Sequence, residues 1–188
     1  MRIISGDYRG KKILEPKDVK TRPLKDLTKE SIFNIIYHSN KFNIELKNSN
    51  ILDLFSGVGS FGIECLSRGV NHVTFVENYK NVLLILKKNL LSLKNIRNYE
   101  IIEDDIINND FFLQLNLKYD LIFLDPPYKN KSLPNLLTQI CLNKILNNNG
   151  VIVIHRHRNE QDLLPGNYRI IEEKTYGISK IIFLTFLN

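Results

Sequence analysis

Ile51-Leu52-Asp53-Leu54-Phe55-Ser56-Gly57-Val58-Gly59-Ser60-Phe61-Gly62 joins an apolar run, a glycine cluster and the start of a helical pattern. Ile51 to Phe55 reads as a short buried strand. The glycines match G-x-G-x-x-G, a spacing that permits a tight turn and close approach of backbone to a ligand. A helix follows from about Ser60 to Arg68, and Gly69 stops it. Strand, glycine turn and helix together form the opening unit of a ligand-binding α/β domain.

The pattern continues downstream. His72 to Glu77 reads as the next strand, residues 79–93 as a helix, and Tyr99 to Ile102 as a third strand. A short helix over about 108–116 precedes the strand Tyr119 to Leu124. A helix over 133–146 precedes a fifth strand, Gly150 to Ile154. Residues 168–174 and 180–187 read as two further strands joined at Tyr176-Gly177. Strands alternating with helices imply a parallel sheet covered on both faces, with a terminal antiparallel hairpin. Right-handed crossovers then bring Gly57, Glu77, Asp105 and Asp125, each just past a strand, to one sheet edge.

Upstream, Arg2-Ile3-Ile4-Ser5 and Lys12-Ile13-Leu14 flank a glycine-bounded turn, which predicts a hairpin. A polar linker, Pro16 to Pro23, leads to a helical pattern over Asp26 to Tyr37. Residues 1–29 carry nine basic side chains and only four acidic ones, so they hold nearly all of the chain's formal charge of +6. Such asymmetry fits a polyanionic partner or a solvated basic face. No apolar run spans a bilayer, and no signal-peptide core precedes the domain, so a cytoplasmic protein is expected. Cys65 and Cys141 stand far apart, which favours reduced packing residues over a disulfide or a zinc pair.

A glycine loop of this kind serves dinucleotides and S-adenosylmethionine alike, and its neighbours discriminate. Asp53 can reach the amino-acid part of the latter. Glu77 can accept from two ribose hydroxyls, and Asp105 can accept from an adenine amino group. Acidic side chains suit a sulfonium cation and repel a pyrophosphate. The other marked stretch is Asp125-Pro126-Pro127-Tyr128. Two prolines remove two backbone donors, so the loop presents acceptors only. Acceptors that grip both hydrogens of a base amino group favour its pyramidal form and free the lone pair. Tyr128 offers an aromatic face to an extruded base.

Taken together these stretches resemble the RsmD family, bacterial methyltransferases that act on a guanine N2 of small-subunit ribosomal RNA. The likeness rests on Arg2-Ile3-Ile4-Ser5-Gly6, Tyr8-Arg9-Gly10, Thr21-Arg22-Pro23, Lys29 to Ile35, Leu52 to Glu64, Leu66-Ser67-Arg68-Gly69, Phe75-Val76-Glu77, Asp105, Asp125 to Tyr128 and Tyr176-Gly177. The resemblance implies a Rossmann-like class I methyltransferase fold. Its sheet is seven-stranded and mostly parallel, and residues 1–40 form an RNA-contacting hairpin and helix extension to a domain over 50–188. It implies S-adenosylmethionine as cofactor, at Asp53, Phe55, Gly57, Gly59, Glu77, Asn78, Asp105 and Ile106. Asp125, Pro126, Pro127 and Tyr128 are the expected catalytic set, and Arg9, Arg22 and Tyr128 the expected substrate contacts. The expected partner is 16S rRNA, as free RNA, subunit or assembly intermediate. The chain is expected to act as a monomer, with neither metal nor membrane. His155-Arg156-His157-Arg158 departs from the family pattern and reads as a basic or solvated loop. Competing readings are a DNA adenine-N6 methyltransferase, an RNA-binding module with a relic pocket, and an NAD-dependent enzyme, for which the Asp-Pro-Pro-Tyr loop has no use.

Overall fold

Alternate residues of a strand point to opposite faces of a sheet, and in this chain both faces are apolar. The computed structural model describes residues 1–16, 24–107, 109–127 and 131–187. Seven strands, β1 (Asn50–Leu54), β2 (His72–Val76), β3 (Tyr99–Ile102), β4 (Tyr119–Leu124), β5 (Leu146–His157), β6 (Tyr168–Tyr176) and β7 (Ser179–Phe186), form one sheet in the order β3-β2-β1-β4-β5-β7-β6. The first five strands pair in parallel, and β7 lies antiparallel between β5 and β6. Ile51, Phe75, Leu121, Phe123 and Val153 face helices α1 (Asp26–His38), α2 (Ser60–Ser67) and α3 (Lys80–Leu91). Phe61 of α2 is stacked between Phe33 of α1 and Phe123 of β4, with ring centroids 5.2 and 4.1 Å away. Leu52, Leu54, Ile122, Leu124 and Ile154 pack on the other face against α4 (Leu133–Leu142) and a 3₁₀ turn, Asn109–Gln114. Both faces are therefore covered, as the near-continuous apolar strands require.

Three of the differences from the sequence reading have a clear local reason. Helix α4 ends at Leu142 rather than 146, because Asn143 caps it and Lys144 turns to φ 51°. Strand β5 starts early, at Leu146, and runs to His157. Its pairing with β4 slips between Tyr119/Leu146 and Leu121/Val151, which absorbs the Asn147-Asn148-Asn149-Gly150 insertion. The N-terminal hairpin keeps its ladder bonds, Ile3 N–H to Lys11 O at 2.9 Å and Gly10 N–H to Ile3 O at 2.8 Å, but only Arg2 and Lys12 pair as a β-bridge. Regular pairing stops because Ile4 and Ser5 donate their N–H groups to the Glu64 carboxylate on α2, at 2.7 and 2.9 Å. Among the described residues no helix is long and apolar enough to cross a membrane.

Glu64 thus anchors the N-terminal segment to the sheet domain. Its fully buried carboxylate also meets the Arg68 guanidinium at 2.9 Å and the Lys29 ammonium of α1 at 3.5 Å. Burial pulls Lys29 below its usual pKa, opposed by Glu64 and Asp26. The turn beyond docks on the last residue of α2, with Tyr8 N–H on Ser67 Oγ at 3.0 Å and Asp7 N–H on Ser67 O at 2.8 Å. Gly6, at φ 81°, lies so close that an added Cβ would sit 1.8 Å from Ser67 O. Removing one partner of a buried ionic cluster typically costs about 3–5 kcal/mol, because the others remain desolvated. Glu64→Ala is expected to lower stability by about that amount in urea unfolding. It should also speed hydrogen exchange at the Ile4 and Ser5 amides.

Candidate active site

Register decides which residues meet. Leu54 pairs with Leu124, and Leu124 with Ile154, so β1, β4 and β5 reach the same rung at their C-terminal ends. Strands β1 and β4 are sheet neighbours although not consecutive, and the chain winds outward from them in both directions. That is the crevice where open α/β sheets accept ligands. The glycine loop, Glu77, Asp105 and Asp125 all follow strand ends on this edge.

The glycine loop is held from within. Gly57 N–H donates to Glu77 Oε2 at 2.8 Å, Gly59 N–H to Ser56 O at 2.8 Å, and Gly62 N–H to Asp53 Oδ2 at 2.9 Å. These three donors are therefore turned onto the protein's own acceptors and away from any pyrophosphate. Gly59 has φ 84°, and a Cβ at Gly62 would lie 2.3 Å from the Phe75 ring and 2.9 Å from Asp53 Oδ2. The third glycine thus lets α2 approach β1 and β2. Phe55, at φ 59°, occupies the left-handed region, a strain of order 1–3 kcal/mol for a bulky residue and one typical of ligand sites.

Two carboxylates shape the pocket. Glu77 Oε1 accepts from Asn78 N–H at 3.0 Å and Tyr79 N–H at 2.9 Å. With Gly57 on Oε2, three lone pairs of Glu77 are in use, which leaves room on Oε2 for one hydroxyl donor rather than a symmetric grip on two. Asp53 is buried, and its Oδ1 has no hydrogen-bond partner among the described residues. Burial pushes its pKa up to about 8, against the Gly62 bond, with Asp125 and Glu77 adding repulsion. An uncompensated acidic cluster of this kind fits a cationic ligand such as a sulfonium bearing an α-amino group. Asn78 and Asp105 are exposed at the rim, and Asp105 Oδ1 accepts from Ile107 N–H at 3.1 Å. Ile106, beside Asp105, is buried in the core.

Asp125 begins the second half of the site. Its N–H meets Leu54 O at 3.4 Å, and its Oδ1 lies 2.8 Å from His155 Nδ1. His155 Nε2 lies in turn 2.9 Å from Ser179 Oγ. Pro126 is buried and Pro127 exposed. The carbonyl of Pro127 accepts from Arg156 Nη1 at 3.4 Å, while the rest of that guanidinium grips Asp162 through Nε and Nη2, each at 2.9 Å. His155 and Arg156 are therefore part of β5, buried to 6% and 1% exposure, and not a basic loop. The run of alternating His and Arg concealed this, although the rung after Ile154 matches the rung after Leu124.

Arg22 and Tyr128 lie outside the described residues. Arg9 is not brought to this edge. It is exposed in the turn that docks on Ser67, and α2 carries the chain back to the opposite edge of the sheet, about 12 Å along its axis for eight residues. Residue 14, by contrast, is tied to the glycine loop. Asn89 of α3 accepts from Leu14 N–H at 2.8 Å and donates to the carbonyls of Leu14 and Val58 at 3.1 and 3.0 Å.

A family model described as conserved hypothetical protein 95 matches residues 1–185. The chain belongs to this family, the RsmD family. Its relative in Haemophilus influenzae, named ribosomal RNA small subunit methyltransferase D, is 34% identical over 95% of this chain and 90% of that one. The protein of the same name in Escherichia coli K12 is 28% identical over 94% and 85%. A solved E. coli structure described as a methyltransferase superposes with a TM-score of 0.82 at 26% identity, covering 98% of this chain and 96% of that one. An H. influenzae structure described as a methylase gives 0.77 at 32%, covering 100% and 98%. The RsmD-family fold is that of a Rossmann-like class I methyltransferase with a C-terminal antiparallel hairpin.

The raised pKa of Asp53 predicts a pH signature. Its unfolded-state carboxyl ionises near 3.8 and its folded-state carboxyl near 8. The folded state therefore keeps a proton that the unfolded state releases, so the contribution to stability is full below about pH 4 and is lost as pH rises towards 8. Asp53→Asn should remove that slope in denaturant titrations between these limits. It should also weaken binding of a sulfonium cofactor, read by calorimetry.

Proposed function

We propose that this chain transfers a methyl group from S-adenosylmethionine to the exocyclic N2 of a guanine in small-subunit ribosomal RNA, in the cytoplasm where subunits are assembled. The observation that carries this reading is the convergence on one sheet edge of an acidic, phosphate-averse glycine-loop pocket and an acceptor-only Asp-Pro-Pro loop. Curated relatives named ribosomal RNA small subunit methyltransferase D support the substrate class.

When bound, S-adenosylmethionine supplies a methyl group on a sulfonium, an electrophile that needs orientation more than activation. Asp53 and Glu77 hold its amino-acid and ribose ends, with Phe55, Gly57, Gly59 and Asn78 around them. Asp105 and the backbone at Ile106 receive the adenine. Asp125 Oδ2 and the Pro126 carbonyl accept the two N2 hydrogens of the guanine, while the Pro127 carbonyl is held by Arg156. That grip draws the nitrogen lone pair out of conjugation and aims it at the methyl carbon. The N2–C bond forms as the carbon–sulfur bond breaks, and the electron pair of that bond stays on sulfur. One N2 proton leaves through Asp125 Oδ2 to water. Tyr128 stacks on the extruded base, and Arg22 and the basic N-terminal residues hold the surrounding RNA. Arg9, exposed in the turn that docks on the end of α2, meets RNA away from the target nucleotide.

Asp125→Ala is expected to lower kcat by about 100-fold or more while leaving S-adenosylmethionine affinity within about twofold, measured by turnover and calorimetry side by side. A strain lacking this gene should lose N2-methylguanosine at one small-subunit rRNA position, read by nucleoside mass spectrometry. Unchanged N2-methylguanosine at every position would remove the reading.

A further inference from the structure

We infer that His155 and Ser179 are positioning residues that lock the Asp125 carboxylate with one oxygen turned to the substrate amino group. This rests on the functional reading above. The three side chains form a row across three strands. The rung after Leu124↔Ile154 sets Asp125 beside His155, while Ser179 sits diagonally from His155 across the β5–β7 ladder, where Ile181 is opposite His155 and Ser179 is opposite His157. Residues two apart share a face, so the register delivers Ser179 to the imidazole. The contacts are 2.8 Å between Asp125 Oδ1 and His155 Nδ1 and 2.9 Å between His155 Nε2 and Ser179 Oγ.

This row is costly where it stands. His155 and Ser179 are each 6% exposed, at the ends of buried apolar stretches, Val151 to Ile154 and Ile181 to Leu184. Burying an imidazole and a hydroxyl gains nothing for the sheet over apolar residues of similar size unless the bonds they make are useful. The bonds end on Asp125. Chemistry also fixes their direction. A carboxylate only accepts, so Nδ1 carries the hydrogen; in a neutral ring Nε2 then accepts from the Ser179 hydroxyl. Asp125 thus fixes the tautomer, Ser179 answers it by donating to Nε2, His155 occupies Oδ1, and Oδ2 is the oxygen left for the N2 hydrogen and, after methyl transfer, for the departing proton. Arg156, the next residue of β5, bonds the Pro127 carbonyl, so the loop backbone is held separately from the carboxylate.

Two isosteres separate positioning from mere packing. In His155→Asn the amide nitrogen takes the place of Nδ1 and keeps the bond to Asp125. In His155→Gln the amide nitrogen takes the place of Nε2, donates to Ser179 Oγ in a reversed bond, and leaves Asp125 Oδ1 without its partner. With full-length protein and small subunits from a strain lacking this gene, His155→Asn should stay within about threefold of wild-type kcat. His155→Gln should fall by about 10- to 100-fold, with KM for subunits and Kd for S-adenosylmethionine each within about twofold. Ser179→Ala should fall less. Nitrogen-15 NMR of the cofactor-free protein should show the His155 ring as the Nδ1–H tautomer, and Asp125→Ala should erode that preference. Equal kcat for the Asn and Gln variants, or an Nε2–H tautomer in the wild type, would overturn the inference. The wild-type tautomer decides even where a variant fails to fold. A wild-type protein that methylates no guanine would defeat the functional reading instead, and the two failures are thereby distinguished.

Discussion

Leu54, Leu124 and Ile154 lie side by side in three parallel strands, and the candidate site depends on that shared rung. One step beyond it the chain leaves the sheet at Phe55 and Asp125 and continues in it at His155. Because side chains alternate, a one-residue slip between β4 and β5 would turn His155 to the far face and bury Asp125 without its partner. The register is held by the alternating apolar residues of both faces, above all the stack of Phe33, Phe61 and Phe123 on one side and α4 on the other. Core packing and site chemistry are therefore one constraint seen from two directions.

The site is built against the stability of the fold. Burial, with Asp125 and Glu77 nearby, raises the cost of ionising Asp53, whose Oδ1 is buried without a partner among the described residues. Phe55 sits at positive φ beside them. A cation would relieve the first cost without taking the glycine-loop donors, which already serve Glu77 and Asp53. A dinucleotide would have to compete with those carboxylates for the same N–H groups. Electrostatics thus separates two ligand classes that the glycine spacing leaves joined.

Much of this was legible in the sequence. The near-continuous apolar strands, the glycine turn and the Asp-Pro-Pro stretch specify the α/β order and the edge where the site forms, because each is a local signal. What escaped was non-local. His155 and Arg156 look like solvated basic residues until the β4–β5 register puts one beneath Asp125 and the other behind Pro127. Glu64 looks like an ordinary helical acid, yet it stops the N-terminal hairpin from pairing by taking the Ile4 and Ser5 donors. Arg9 belongs to a basic segment whose two ends go to opposite edges of the sheet: Leu14 to the glycine loop and Tyr8 to the end of α2. Composition reports the charge of that segment but not its direction.

We propose that the acceptor-only loop receives a base amino group, and that the base is a guanine of small-subunit ribosomal RNA. The most direct measurement supplies purified protein with S-adenosylmethionine labelled in its methyl group, together with unmodified small subunits and, separately, duplex DNA, and identifies the labelled nucleoside after digestion. All label in N2-methylguanosine from the subunit RNA is the predicted result. Label in N6-methyladenosine, or in DNA alone, would contradict it.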